Sequence, residues 1–405
     1  MKIISLFCFA CSLSLTSLAA GEIPVAGNTA FALELYGQLR SETGNVFISP
    51  YSISTALAMT YAGARENTEA QMAKTMHFTQ PQGDFHKSYE SLQKRITGAQ
   101  VTDQFEFLEA NSLWPQTSKK FKDEFMTICK TQYGAGVIPV DYLNNPEAAR
   151  QAINQWVEAK TKQYIKDLLP EDSVDSSTKM TLVNAVYFKG KWMNSFKKEN
   201  TSQREVFHVT PAKIEKVTMM YASGERQVAQ LPDLQILAMP YKGGNATMLV
   251  LLPVRQDGLA DLEQKLTPKN LQTWISALKN EPLVEVYMPK FSIEAQFGLH
   301  KTLAGMGMPD AFSPSRADFS GMDGERDLFI SQVIHKAILK VDEEGTVAAA
   351  ATAVIKNYTS AMEEDPVKPV IFRADHPFLV VIRENTTDSI LFLGRLTNPP
   401  PAAKK

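Results

Sequence analysis

The sequence predicts one α+β domain, and three observations carry that reading. Some segments repeat apolar residues at helical spacing, whereas others run almost unbroken in apolar residues, as strands covered on both faces do. Helix and strand signals are interspersed without regular βαβ alternation. Between Glu22 and Asn398 no long Gly/Ser-rich or Pro-rich linker, repeat or low-complexity tract divides the chain. At 405 residues, 44% hydrophobic and 21% charged, the chain is long enough and apolar enough for a sizeable core.

The first segment stands apart. Lys2 is followed by the mostly apolar run Ile3 to Ala10 and then by Ser17-Leu18-Ala19-Ala20, the charged start, apolar centre and small residues of an export signal. A buried first helix would continue its amphipathic period instead of ending in small residues and Gly21. The expectation is a signal over 1–19, cleaved after Ala19, followed by a single domain over 20–405, with a secreted or periplasmic location.

Further along, Ser49-Pro50 is an N-cap with proline at the first helical position, and Ile53, Ala56, Leu57, Thr60 and Ala64 recur behind it at helical spacing. Thr68 to Gln71 offers a capping box for another helix. Asn145-Pro146 starts a third, with Ala149, Ile153, Trp156 and Val157 on one face. Leu182 to Phe188, interrupted by Asn184, and Thr247 to Leu252 read as covered strands. Phe378 to Arg383 and Ser389 to Leu396 flank a short polar loop as a hairpin does.

Composition and motifs exclude much. A formal net charge of -2 with no long basic block gives no reason to expect a nucleic acid or an anionic membrane as partner. Cys8 and Cys11 lie in the signal, so the mature chain keeps Cys129 alone, which reads as a buried apolar residue; the core must hold the fold without a disulfide. No nucleophile elbow, Walker loop, dinucleotide fingerprint, zinc helix or EF-hand loop is present. His77, His86, His208, His300, His335 and His376 lack metal-ligand spacing, so no metal site, cofactor or catalytic residue is expected. Gly243-Gly244 and Gly305 with Gly307 read as turns, not phosphate loops. The sequons at Asn200, Asn245, Asn357 and Asn385 permit glycosylation only where a secretory pathway performs it.

One passage resists a structural reading. Asp342 to Pro369, DEEGTVAAAATAVIKNYTSAMEEDPVKP, joins helix-favouring alanines to β-branched Thr346, Val347, Thr352, Val354 and Ile355. Around it lies an ordered series of motifs: GNVFISPYSISTALAMTYAGARENTEAQM (Gly44 to Met72), AVYFKGKW (Ala185 to Trp192), FHV (Phe207 to Val209), VYMPKF (Val286 to Phe291), ADFSG (Ala317 to Gly321), HKA (His335 to Ala337) and DHPF (Asp375 to Phe378). In content and order, from about Gly27 to Asn398, the chain resembles the serpin family of serine-protease inhibitors.

That resemblance implies three β-sheets and eight or nine α-helices, with a large sheet A able to accept an inserted strand. It implies an exposed reactive-centre loop over about 343–370. The hinge would be Glu343, Glu344, Gly345, Thr346, Val347, Ala348, Ala349, Ala350, Ala351 and Thr352, and the scissile bond Thr359-Ser360, with Tyr358 or Met362 as alternative sites. Ser52, Ser54, Asn184 and His335 match the family's shutter, and Trp192 its breach. The implied activity is suicide-substrate inhibition, as a monomer, of a protease with elastase-like or chymotrypsin-like specificity, in a covalent 1:1 complex. Two readings compete: a non-inhibitory serpin acting as carrier, storage protein or chaperone, and an exported hydrolase, which no motif supports. The hinge favours inhibition, because every residue from Thr346 to Ala353 is small or β-branched and can enter a buried strand without burying charge.

Overall fold

The computed structural model describes residues 24–98, 105–346 and 368–401. The expected signal, the hinge beyond Thr346 and the whole scissile region lie outside the described residues. The helices are α1 (Val25–Leu39), α2 (Pro50–Tyr61), α3 (Glu66–Thr75), α4 (Gln82–Gly98), α5 (Asp123–Tyr133), α6 (Pro146–Lys160), α7 (Leu259–Lys265), α8 (Pro268–Ser276), α9 (His300–Met306) and the single turn α10 (Ser320–Asp323). The strands are β1 (Val46–Ile48), β2 (Phe105–Pro115), β3 (Gly136–Val137), β4 (Met180–Lys191), β5 (Ser202–Thr210), β6 (Lys213–Gln230), β7 (Leu234–Pro240), β8 (Ala246–Pro253), β9 (Lys279–Pro289), β10 (Phe291–Gly298), β11 (Gln332–Val341), β12 (Gly345–Thr346), β13 (Val370–Arg373), β14 (Phe378–Glu384) and β15 (Ile390–Leu396).

Two hydrogen-bonded sheets result. One has six strands in the order β10-β11-β12-β4-β2-β3; it is the sheet A of the resemblance. The other has nine, and holds what the resemblance divides into two sheets. The 18-residue β6 runs through both parts, with a register shift between Gly224 and Arg226, and pairs with β5 over Lys213 to Met219, with β9 over Met219 to Val228 and with β7 over Gln227 to Gln230.

Alternation along β4 explains how the layers stack. Its inward side chains Val186 and Phe188 join Trp192, Phe47, Met220 and Leu339 in a core between the two sheets. Its outward side chains Val183, Ala185 and Tyr187 pack with Ile153 and Val157 of α6, which covers the other face. A third cluster gathers α1, α2 and α5 around Phe31, Leu57 and Cys129. Cys129 is free and buried there, and burial pushes its thiol up to about 12, so it is inert as a nucleophile.

The expected helices and strands form with one correction. Ser49 caps α2, its hydroxyl accepting from the Ser52 amide at 3.3 Å. The capping box proposed at Thr68 does not form: α3 begins at Glu66, and Thr68 lies within its first turn. Its hydroxyl instead accepts from the Asp318 amide at 3.0 Å, while the Gln71 carbonyl accepts from the Asp310 amide at 3.0 Å. Tertiary acceptor roles took the side chains that a local cap would have used.

Candidate functional site

The site is the seam between β4 and β11. These two parallel strands are joined directly from Gln332↔Thr181 to Ile338↔Tyr187 and part above that point. Into the gap at the top comes β12, antiparallel to both neighbours, with Gly345↔Lys191 and Thr346↔Gly190 on one side and Val341↔Thr346 on the other.

Close packing fixes the residue types at this upper end. A Cβ on Gly345 would stand 2.1 Å from the Gly190 carbonyl oxygen, and one on Gly190 would stand 2.6 Å from the Tyr241 ring. Only glycine fits either position. Thr346 is fully buried, and its hydroxyl shares a 2.9 Å hydrogen bond with the Tyr241 hydroxyl. Tyr241 stacks on Trp192 at 4.6 Å between centroids.

The turn that delivers β12 is itself clasped. Trp192 donates from its indole nitrogen to the Asp342 carbonyl at 3.0 Å and from its backbone amide to the Glu344 carbonyl at 2.9 Å. Asp342 Oδ1 accepts the Glu344 and Gly345 amides at 3.0 and 3.2 Å. Burial still lifts the Asp342 carboxyl above its ordinary value, against those two bonds. The Glu343 carboxylate accepts from Lys290 Nζ at 2.9 Å and from the Thr201 hydroxyl at 3.2 Å. Burial opposes its ionisation, yet Lys290 with the other donors holds it below the ordinary carboxylate value. Lys198 reaches Glu344 at 3.0 Å.

Halfway down, the same seam is shut by side chains. The Ser49 amide donates to His335 Nε2 at 3.1 Å, so the ring proton sits on Nδ1 and is donated to Asn184 Oδ1. Asn184 Nδ2 donates to the Ser52 hydroxyl at 2.6 Å and to Asn111 Oδ1. Burial pushes His335 down to about 3, so the ring is neutral and can accept from Ser49 throughout the physiological range. His335 pairs across to Asn184, and Asn184 to Asn111, which makes one polar row over three strands beneath the N-terminus of α2.

The serpin family, described as "serine protease inhibitor", matches residues 26–399. The chain belongs to this family. Leukocyte elastase inhibitor A of Rattus norvegicus is 40% identical over 383 residues, covering 92% of this chain and 99% of the relative. Leukocyte elastase inhibitor of Sus scrofa is 42% identical over 383 residues with the same coverage. Among solved structures, uncleaved ovalbumin superimposes with a TM-score of 0.84 at 32% identity, covering 93% of this chain and 100% of the other. Human thyroxine-binding globulin complexed with its hormone gives 0.83 at 31% identity, with 93% and 98% covered.

In this serpin, Ser52, Asn184 and His335, expected at the shutter, come together in one polar row, and Trp192, expected at the breach, lies against the turn from Asp342 to Gly345. Ser54 does not join the row. Two residues after Ser52, it points from the other side of α2, and its hydroxyl donates to Asn28 Oδ1 of α1 at 2.8 Å. Of the hinge, Glu343, Glu344, Gly345 and Thr346 are described, and they form the clasped turn and β12 within the top of the sheet. Sequence reasoning missed Asn111, Tyr241 and Lys290. Asn111 had a usable signal: it is a polar residue two positions from Leu113 on the inward face of a strand, as Asn184 is. Tyr241 and Lys290 had none, because each is brought to the hinge from the far sheet or its connecting turn.

Proposed function

We propose that this serpin is a suicide-substrate inhibitor of serine proteases that traps its target by drawing the cleaved reactive-centre loop into the seam between β4 and β11. The observation that carries the reading is β12, a two-residue strand in the orientation that a longer inserted strand would have. Continued in its register, each further residue descends one position along both neighbours, so Thr352 reaches Asn184 and His335, and Ile355 reaches Thr181 and Gln332. Those two pairs are opposite one another in the closed seam, so one strand can replace the β4–β11 ladder without a register shift.

The side chains suit that path. Thr346 faces the core, and by alternation Ala348, Ala350, Thr352 and Val354 would follow it inward, while Val347, Ala349, Ala351, Ala353 and Ile355 would face α6. Thr352 would bring a hydroxyl to the shutter as the bond between Asn184 and His335 is broken. Insertion of ~14 residues forms a similar number of ladder hydrogen bonds at roughly 1 kcal/mol net each, on the order of 10 kcal/mol before apolar burial is added.

The chemistry belongs to the protease. Its serine oxygen attacks the carbonyl of Thr359, the bond to the Ser360 nitrogen breaks, and that nitrogen leaves as an amine with the proton delivered by the protease's own base. The resulting ester would be carried ~45 Å by ~14 residues at roughly 3.3 Å each. A displaced oxyanion hole and triad no longer deacylate it. Thr359, or Tyr358 or Met362, suits a small or apolar specificity pocket, so the partner is an elastase-like or chymotrypsin-like protease in a covalent 1:1 complex with a monomeric inhibitor. The leader over 1–19 directs export to a secreted or periplasmic location.

Incubation with a panel of serine proteases tests this. The expected product is an adduct that survives boiling in detergent, with a released C-terminal peptide starting at Ser360. A start at Glu363 moves the site to Met362; free, cleaved inhibitor with every protease that cuts near Thr359 overturns the reading. A carrier role is the second reading, since thyroxine-binding globulin has the same fold and the fold by itself does not select a function. Bulky or charged hinge residues would favour it, and this hinge has neither between Thr346 and Ala353.

A further inference from the structure

Two positions above Asn111 on β2, a carboxyl group stands on the inward face of the sheet, one row above the polar row and next to the apolar Val186 and Phe107. Glu109 follows Phe107 on that face, sits opposite Val186 of β4, and lies in the row above the Asn111–Asn184–His335 row. Its Oε1 accepts from Asn111 Nδ2 at 3.4 Å. The hydrogen bonds of the shutter therefore run one way, from the Ser49 amide through His335, Asn184 and Asn111 to Glu109 as the last acceptor. Among the described residues no cation balances that end: the polar side chains acting on the carboxyl are the neutral Ser52 and Asn111. The Tyr51 hydroxyl of α2, in the same aromatic chamber with Phe107 and Tyr89, has no hydrogen-bond partner.

We propose that the Glu109 carboxyl is a proton-controlled brake on the opening of the six-stranded sheet. Uncharged, it is accommodated between β2 and α2 and the closed shutter is retained; ionised, it is a partly buried carboxylate without a counter-ion, met only by the neutral Ser52 and Asn111, and the closed arrangement is weakened. The proposal rests on the reading that this sheet opens along the β4–β11 seam, which requires β2 and β4 to move against α2.

The surrounding groups leave Glu109 as the one that changes charge near neutrality. Burial lifts its carboxyl from 4.5 to about 7. From β11, His335 is held down at about 3, and from α4, His86 is held down at about 4 by burial and then by Arg65, so both are neutral above pH 5. Tyr51 of α2, Tyr89 of α4 and Tyr133 of α5 are all raised by burial and stay neutral. From β4 the facing side chains are Asn184, Val186 and Phe188, which carry no charge. A carboxyl raised in the closed state stabilises that state fully below its ordinary value, and the contribution is lost as pH rises from 4.5 to about 7. The two histidines act in the opposite sense below 6.5, so the difference between the native chain and Glu109→Gln isolates the carboxyl.

Two measurements on the full, uncleaved chain test the brake. In protein labelled with 13C at glutamate carboxyls, with the resonance assigned by its loss in Glu109→Gln, the expected midpoint is about 7; a midpoint below about 5.5 overturns the proposal. The rate of heat-induced conversion of the uncleaved chain at a fixed temperature, followed on native gels, should be at least ~10-fold faster for the native chain than for Glu109→Gln at pH 8, and the two should converge at pH 5. A rate ratio independent of pH would make Glu109 a structural residue and overturn the brake. If neither protein converts, the sheet-opening reading fails, and the brake with it, while the carboxyl titration still reports whether Glu109 holds its proton.

Discussion

The seam between β4 and β11 is built in two different ways along its length. At the top it is parted and already holds Gly345 and Thr346, and the residues that allow this are two glycines, one threonine and an aromatic pair. At the middle it is closed by directed side-chain hydrogen bonds among Ser52, Asn111, Asn184 and His335. The upper end resists by shape and the middle by polar bonds. In the proposed insertion, a strand advancing down the seam first has to part the β4–β11 ladder at Ile338↔Tyr187, three positions below Thr346, and reaches the polar row three positions further on.

The largest expected effect comes from breaking the upper end. Thr346→Arg puts a guanidinium into a fully buried position beside Tyr241, at a cost of several kcal/mol for an unpaired charge. The hinge should leave the sheet and insertion should slow while the protease deacylates at its usual rate. Gel analysis should then show cleaved inhibitor and active protease in place of the adduct; undiminished adduct would sink this account of the upper end.

Breaking the middle comes next. Asn184→Ala removes the carboxamide that accepts from His335 and donates to Ser52 and Asn111, leaving buried groups unpaired at a cost of ~2–4 kcal/mol. The uncleaved chain should convert on heating at a lower temperature, whereas a variant at Ser54, whose bond goes to Asn28, should leave that temperature closer to the native value. Equal effects at the two positions would remove the distinction between shutter and neighbouring helix.

Cleavage of the loop at Thr359 should close the difference between the two ends, because one continuous strand would then fill the seam. A gain of ~10 kcal/mol corresponds to a rise in melting temperature of well over ~10 °C. An unchanged melting temperature after cleavage would mean that the strand stops at Thr346.

Smaller effects sharpen the picture of the hinge clasp. Tyr241→Phe deletes the bond to Thr346 but keeps the stack on Trp192, and should cost ~1 kcal/mol in thermal unfolding. Glu343 is held below its ordinary value, so its contribution is present above 4.5 and is lost as pH falls through the lower folded value. Glu343→Gln should flatten that acid limb only slightly, by less than ~1 kcal/mol, since Lys290 is 46% exposed and screened by water. A larger loss at neutral pH would show that Lys290 and Glu343 fasten the hinge more firmly than an exposed pair can.

Much of the shutter was legible because it violates a pattern. Asn184 interrupts an apolar strand, and Ser52 falls on a helix whose neighbours are all buried. Asn111 is as polar and as inward-facing, but Ser112 beside it and Glu109 before it make the strand look mixed and hide its alternation. Ser54 shows the opposite error: it carries the right residue type on the right helix, but the turn of the helix aims it at α1. Thr68 has the residue type of a local cap and serves a distant amide.

The sequence by itself determined the strands, the helices and the composition of the segment proposed to enter the sheet, because small and β-branched side chains at successive positions are a property of the chain alone. It also determined that no charge would travel with that segment between Thr346 and Ala353. Only the tertiary structure decided that the seam is parted above Ile338, that Gly345 packs there against the Gly190 carbonyl, and that four polar residues from α2, β2, β4 and β11 close it below. Those facts depend on which strands become neighbours. Residues as far apart in the chain as Ser49 and His335 meet only after the two sheets have packed and α2 has been laid across the row, so no local pattern could announce the bond between them.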